Sequence, residues 1–153
     1  MLNIKDCAIK YLVARPRTEK EIINHLKKKG FEYEDIRRAN EDLKSLHYID
    51  DAEYAYMYIR YSFEKGRSIH RAKIELKNKG VSAEDTIKGI YLYEDEFDID
   101  ITQADEERAR NVAAKFLDIA DVYDKKTFDK LGRKLERMGY SYSVISQVLR
   151  DNR

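Results

Sequence analysis

A leucine, three residues, a glycine and then an apolar or aromatic residue: this phrase occurs three times in the chain and limits its folds more than any other feature. The copies are Leu26–Gly30–Phe31, Leu76–Gly80–Val81 and Leu135–Gly139–Tyr140. The first two extend into near-twins, HLKKKGFEYED and ELKNKGVSAED, offset by 50 residues. Glycine enters the left-handed conformation without a Cβ penalty, so it ends a helix where another residue would continue it. Each phrase therefore reads as a helix stop and hinge between two helices, with the leucine turned toward a core. Ile36, Thr86 and Ile145 mark the same position six residues beyond each glycine.

Helix starts are equally regular. Thr18 with Glu21 forms a capping box, and Asp50 with Glu53 and Ser82 with Asp85 are variants of it. Apolar residues then recur at helical spacing, as in Ile22, Ile23 and Leu26, or Ile69, Ala72 and Leu76. Gly66 adds a fourth stop signal. These signals predict helices near 3–14, 18–29, 33–46, 51–65, 68–79, 83–93, 103–121, 126–138 and 142–151. The expected fold is all-α, with three tandem three-helix repeats forming an elongated, curved helical array. The repeats span 1–49, 50–93 and 103–153, and 94–102 is an acidic linker. One unit of about 45 residues buries little core alone, so neighbouring units must share interfaces.

Charge narrows the function classes. The net charge is only +1, against a general polyanion binder, but its distribution is uneven. Residues 58–91 carry 8 basic and 4 acidic side chains, whereas 92–107 carry 8 acidic and none basic. The run YEDEFDIDITQADEE lacks the spacing of a calcium-binding loop and reads as a solvated linker. His25, His47 and His70 are scattered, so no metal site is expected. Asp50 and Asp51 stand at a helix start and read as caps. Cys7 is the single cysteine and reads as a small buried side chain. No phosphate loop, nucleophile elbow or His–carboxylate set is present, so neither an enzyme nor a cofactor is expected. Without an apolar run of about 18 residues or a signal-peptide start, no membrane association is expected, and the cytoplasm is the expected compartment.

The stretch YIDDAEYAYMYIRYSFEKGRSIHRAKIELKNKGVS, Tyr48 to Ser82, resembles the RecX family of regulatory proteins. Tyr48, Asp50, Asp51, Tyr54, Ala55, Tyr58, Ile59, Arg60, Gly66, Leu76, Lys79, Gly80 and Val81 carry the resemblance. YLVARPRTEKEI with KKKGF, and RMGYSYSVISQVL, extend it to both ends. Departures are mild: Ile49, Tyr54 and Tyr58 stand where Leu, Phe and Trp are frequent, and Met138 where a basic residue is common. The resemblance implies a modulator, usually negative, of the RecA recombinase. Such a protein lies in the groove of the RecA filament on DNA and restrains ATP hydrolysis, strand exchange and filament growth.

The expected contact surface lies in the middle repeat: Arg60, Lys65, Arg67, His70, Arg71, Lys73 and Lys77 as a basic face, with Tyr54 and Tyr58 as aromatic contacts. His70, Lys73 and Lys77 share one face of a helix beginning at Ser68. A monomer is expected, with no small-molecule substrate. The alternative reading is a helical DNA-binding module, because three-helix units also resemble helix-turn-helix domains. Direct DNA contact by the RecA-binding form is expected to be weak.

Overall fold

The structure, a computed structural model, describes residues 3–153. These form nine α-helices and no strand: α1 (Ile4–Ala14), α2 (Glu19–Lys28), α3 (Tyr33–Ser45), α4 (Asp51–Glu64), α5 (Ile69–Asn78), α6 (Ala83–Phe97), α7 (Ile101–Asp118), α8 (Lys125–Arg137) and α9 (Tyr142–Asn152). The protein is therefore all-α, built from three-helix repeats. Of the segment 94–102 expected as a linker, residues 94–97 complete α6 and 101–102 open α7, leaving 98–100 as the connection. Glu94, Asp95 and Glu96 do not end the helix. The ending comes at Asp98, whose φ is 50°, followed by Asp100, which accepts from the Thr102 and Gln103 N–H groups as the cap of α7.

The repeated phrase has a specific hydrogen-bond form. At each hinge the glycine N–H returns to the carbonyl three residues back, and the following N–H returns to the leucine carbonyl: Gly30 to Lys27 and Phe31 to Leu26, Gly80 to Lys77 and Val81 to Leu76, Gly139 to Glu136 and Tyr140 to Leu135. This is the Schellman closure, and it requires the left-handed φ that the three glycines show, +89°, +91° and +96°. Leu26, Leu76 and Leu135 are fully buried, which explains why the phrase pairs a leucine with the glycine. Thr18 and Glu21 form the complete capping box, Asp50 accepts from Glu53 N–H, and Ser82 accepts from Asp85 N–H.

The described residues divide into two compact units, 3–57 with 75–89 and 58–74 with 90–153, so α4, α5 and α6 each contribute to both. In the first unit Cys7, Ala8, Ile22, Leu26, Ile36, Leu43 and Ile49 make a core. Cys7 is a free, buried thiol. Gly89 lets α6 close on α4, since a Cβ there would lie 2.6 Å from the Ala55 Cβ and 2.8 Å from the Tyr56 nitrogen. In the second unit Ala109, Ala113, Leu117, Phe128, Leu131, Leu135, Tyr140 and Val148 form the core, with the alanines of α7 allowing close approach.

Candidate functional site

The candidate surface in the second unit starts from the end of α4. Tyr61 is 46% exposed, and two cations lie near its ring face: Lys65 Nζ at 5.7 Å and Arg67 Cζ at 5.6 Å from the centroid. Both distances fall at the outer limit of cation–π attraction. Tyr58 is half-buried beside it, with ring centroids 5.9 Å apart. Arg60 is exposed, with its guanidinium 5.6 Å from the Phe97 ring. His70 and Lys73 are exposed on the next helix. A surface of this kind offers planar guanidinium and point ammonium charges to carboxylates or phosphates, and a ring edge to a flat partner group.

The backbone beneath these side chains is fixed from several directions. Arg67 N–H donates to the Ser62 carbonyl at 3.0 Å, and the Arg67 carbonyl accepts from Arg108 Nη1 at 3.4 Å. The Tyr140 hydroxyl donates to the Gly66 carbonyl at 2.6 Å, and Ser68 N–H donates to the Met138 carbonyl at 2.8 Å. Arg108 itself is stacked on Phe63, 3.3 Å from the centroid, and paired with Asp105 at 2.9 Å. Asp105 accepts from the Ile69 N–H at 2.7 Å and so caps a helix other than its own. Burial drives its carboxyl pKa upward, and the bonds from Ile69 and Arg108 only partly offset that. Burial likewise raises the Tyr140 phenol to about 12.

The expected residues do not all share this role. Arg71 is half-buried, and its Nη1 donates to the Arg137 carbonyl at 2.9 Å, so it holds α5 to the end of α8. Tyr54 is only 9% exposed and belongs to the interior of the first unit, where its ring presents little to a partner. Lys77 is exposed but falls in the first unit. The exposed aromatic is Tyr61, which shares the helix face of Tyr54 and Tyr58 but lies nearer the helix end.

Other contributors were not legible from the middle repeat alone. A cleft of about 230 Å³ in the second unit is lined by Phe63, Glu64, Lys65, Arg108, Lys115 and Lys134, among others. It gathers lysines from α7 and α8 beside Lys65. Of this set the sequence pointed only to Lys65; Arg108, Lys115 and Lys134 lie far along the chain and no local pattern marks them.

The acidic segment serves local structure. The Glu94 carboxylate accepts from Ile101 N–H at 3.0 Å, and among the described residues no group of three or more His, Cys, Asp or Glu side chains could hold a metal ion. Asp50 caps its own helix, whereas Asp51 accepts from the Glu19 N–H at 2.9 Å and caps α2. No helix among the described residues is long and apolar enough to cross a membrane.

Tandem three-helix units with an exposed basic–aromatic surface define the chain as a helical-repeat protein. Comparison with known proteins gives the family. The first three-helix domain of RecX matches residues 5–43, and the second matches residues 50–86. The regulatory protein RecX of Vibrio campbellii is 32% identical over 153 residues, covering 97% of this chain and 90% of that protein. The RecX of Clostridium perfringens strain 13 is 32% identical, covering 97% of this chain and 68% of its own length. The chain belongs to the RecX family. The crystal structure of RecX from Lactobacillus salivarius shares the fold, with a TM-score of 0.78 at 22% identity over 97% of this chain and 93% of that one.

Proposed function

We propose that this regulatory protein binds the RecA filament on single-stranded DNA, in its helical groove, and restrains ATP hydrolysis, strand exchange and filament growth. The observation that carries the contact surface is the exposed Tyr61 near the end of α4, flanked by Lys65 and Arg67 on the loop that follows, whose backbone at residues 66–68 is tied down by Arg108, Tyr140 and the Met138 carbonyl. A rigid loop loses little entropy on binding, so weak charged contacts retain more of their strength. Arg60, His70 and Lys73 extend the surface. Tandem repeats contacting successive protomers would gain avidity from several such contacts together.

The test is ATP hydrolysis by the cognate RecA on single-stranded DNA, titrated with the protein and with a Tyr61→Ala, Lys65→Ala, Arg67→Ala, Lys73→Ala variant. Arg71 is left intact because its loss would also disturb the α5–α8 contact. Inhibition by the parent and at least about tenfold weaker inhibition by the folded variant is the expected result. Equal inhibition by both would remove the surface from the account, and none by the parent would remove RecA regulation.

A second reading, direct nucleic-acid binding, is favoured by the cleft holding Lys65, Arg108, Lys115 and Lys134. Phosphate-dominated binding weakens steeply with salt, so affinity for single-stranded DNA measured across a salt series separates the two readings.

A further inference from the structure

Tyr11 is the middle layer of a three-part stack in the first unit. The His25 imidazole lies on its ring with centroids 3.8 Å apart and planes 3° from parallel. The Arg17 guanidinium carbon is 3.7 Å from the same Tyr11 centroid. A face covered by an imidazole at that distance has no room for a guanidinium, so the two lie on opposite faces. Arg17 is held there by its Nε, which donates to the Tyr11 carbonyl at 3.2 Å. Three elements meet in the stack: α1 carries Tyr11, the loop after it Arg17, and the last turn of α2 His25.

Arg17 ends the stack on one side and His25 on the other. His25 is only half-buried and Tyr11 covers one of its faces, so the exposed part is the second face and the ring edge. No other ring packs on it among the described residues. Partial burial, then the charges of Lys29, Arg17 and Lys28, lower its pKa, which leaves the imidazole mostly uncharged at neutral pH. Lys28 and Lys29, three and four residues on, share its side of α2. Both are exposed and without an ion pair among the described residues. Of the carboxylates nearby in sequence, Glu21 accepts from Thr18 N–H and pairs with Arg15, and Glu34 pairs with Arg37. Glu32 and Asp35 are exposed, but no carboxylate is among the charges that shift His25. A bare aromatic face set among cations suits a flat group with negative charge beside it. A nucleobase on its phosphodiester strand has that form, and the base must be unpaired to leave its own stack.

We propose that the outer face of His25 is a stacking platform for one unpaired nucleobase of a single strand, with Lys28 and Lys29 holding the adjoining phosphates. The site lies in the first unit and rests neither on the proposed RecA contact nor on the lysine cleft of the second unit. One platform makes a weak contact, and salt weakens it further.

The test titrates the isotope-labelled full chain at low salt with an oligothymidylate of about 12 nucleotides and with an abasic strand of equal length, followed by NMR. Saturable upfield movement of the His25 ring protons is expected with the oligothymidylate, together with amide shifts around Lys28 and Lys29. The ring current of a stacked base moves protons upfield, which a contact to phosphate alone does not do. Affinity should fall about fivefold or more for the abasic strand and for a His25→Ala variant, and His25→Phe should restore it. A Lys28→Ala, Lys29→Ala variant should bind both strands more weakly. Equal affinity for the two strands, unchanged affinity in either alanine variant, or no saturable binding would overturn the proposal. A loss in His25→Phe as large as in His25→Ala would do the same. Shifts confined to Lys65, Lys115 and Lys134 would also overturn it and leave the cleft as the nucleic-acid site.

Discussion

Replacing Gly139 with alanine, beside the same change at Gly30, separates the cost of the hinge conformation from the cost of the contact built on it. Both residues have a left-handed φ, which costs an alanine roughly 1–2 kcal/mol. At Gly30 the new Cβ meets nothing within 4 Å, so that conformational cost is the whole expected effect. At Gly139 it would lie 2.6 Å from the Arg71 Cβ and 3.2 Å from the Arg71 nitrogen, and closer still to the Ser68 hydroxyl. Carbon atoms pack at about 3.5–4.0 Å, so α5 must withdraw by about an ångström. Withdrawal stretches the Ser68–Met138 bond at 2.8 Å and the Arg71–Arg137 bond at 2.9 Å. Each contributes about 0.5–1.5 kcal/mol net, giving Gly139→Ala a total of about 2–5 kcal/mol. For a chain of this length about 2 kcal/mol between the variants lowers Tm by roughly 4–8 °C. Urea unfolding followed by circular dichroism measures the difference, and an unchanged m-value shows that the variants unfold alike. Equal destabilisation by the two substitutions would refute the claim that the Gly139 hinge is a joint while the Gly30 hinge is open.

Three further outcomes are expected. Asp51→Ala loses the cap on Glu19 N–H and costs about 0.5–2 kcal/mol, whereas Asp51→Asn keeps an acceptor and removes a buried charge facing Glu19 and Asp85. Burial raises the Asp51 carboxyl above its unfolded value, so its protonated form stabilises the fold below about pH 3.9 and that contribution fades as pH rises. The advantage of Asn over Asp should therefore grow from about pH 3 to about pH 7 in urea unfolding. Tyr140→Phe removes the bond to the Gly66 carbonyl, costing about 1 kcal/mol. The Tyr140 phenol, held at about 12, stabilises fully below about pH 10 and loses that contribution as pH rises through the folded value, an alkaline sensitivity that thermal melts of the Phe variant should lack. Arg67→Ala should leave the unfolding free energy within about 0.5 kcal/mol of the parent while weakening RecA inhibition; loss of stability with unchanged inhibition would make Arg67 structural.

The fold was largely legible because each helix carries its own punctuation. Thr18, Asp50 and Ser82 announce starts, and the three Leu-x-x-x-Gly phrases announce stops, through interactions within a few residues of chain. Asp98 was missed as a stop because aspartate adopts the left-handed conformation less readily than glycine, so no composition signal marked it. The site was less legible because its support comes from distant residues. Periodicity placed Tyr54, Tyr58 and Tyr61 on one face, but burial along that face depends on what packs there, and it leaves Tyr61 as the exposed ring. Arg71 carries a charge at the expected place, yet its guanidinium satisfies a helix-end carbonyl 66 residues away. Asp51 looked like a cap and is one, but for a helix that begins 32 residues earlier. The hinge phrase itself carried two meanings: the helix stop was local and readable, and the seat for another helix start appeared only in three dimensions.

Co-sedimentation of the protein with preformed RecA filaments on single-stranded DNA, beside the same DNA without RecA, tests the central claim most directly. The predicted result is saturable capture by the filament, little capture by DNA alone at physiological salt, and a marked loss of capture when Tyr61, Lys65, Arg67 and Lys73 are changed to alanine. Equal capture by bare DNA and by the filament, falling steeply with salt, would contradict the account.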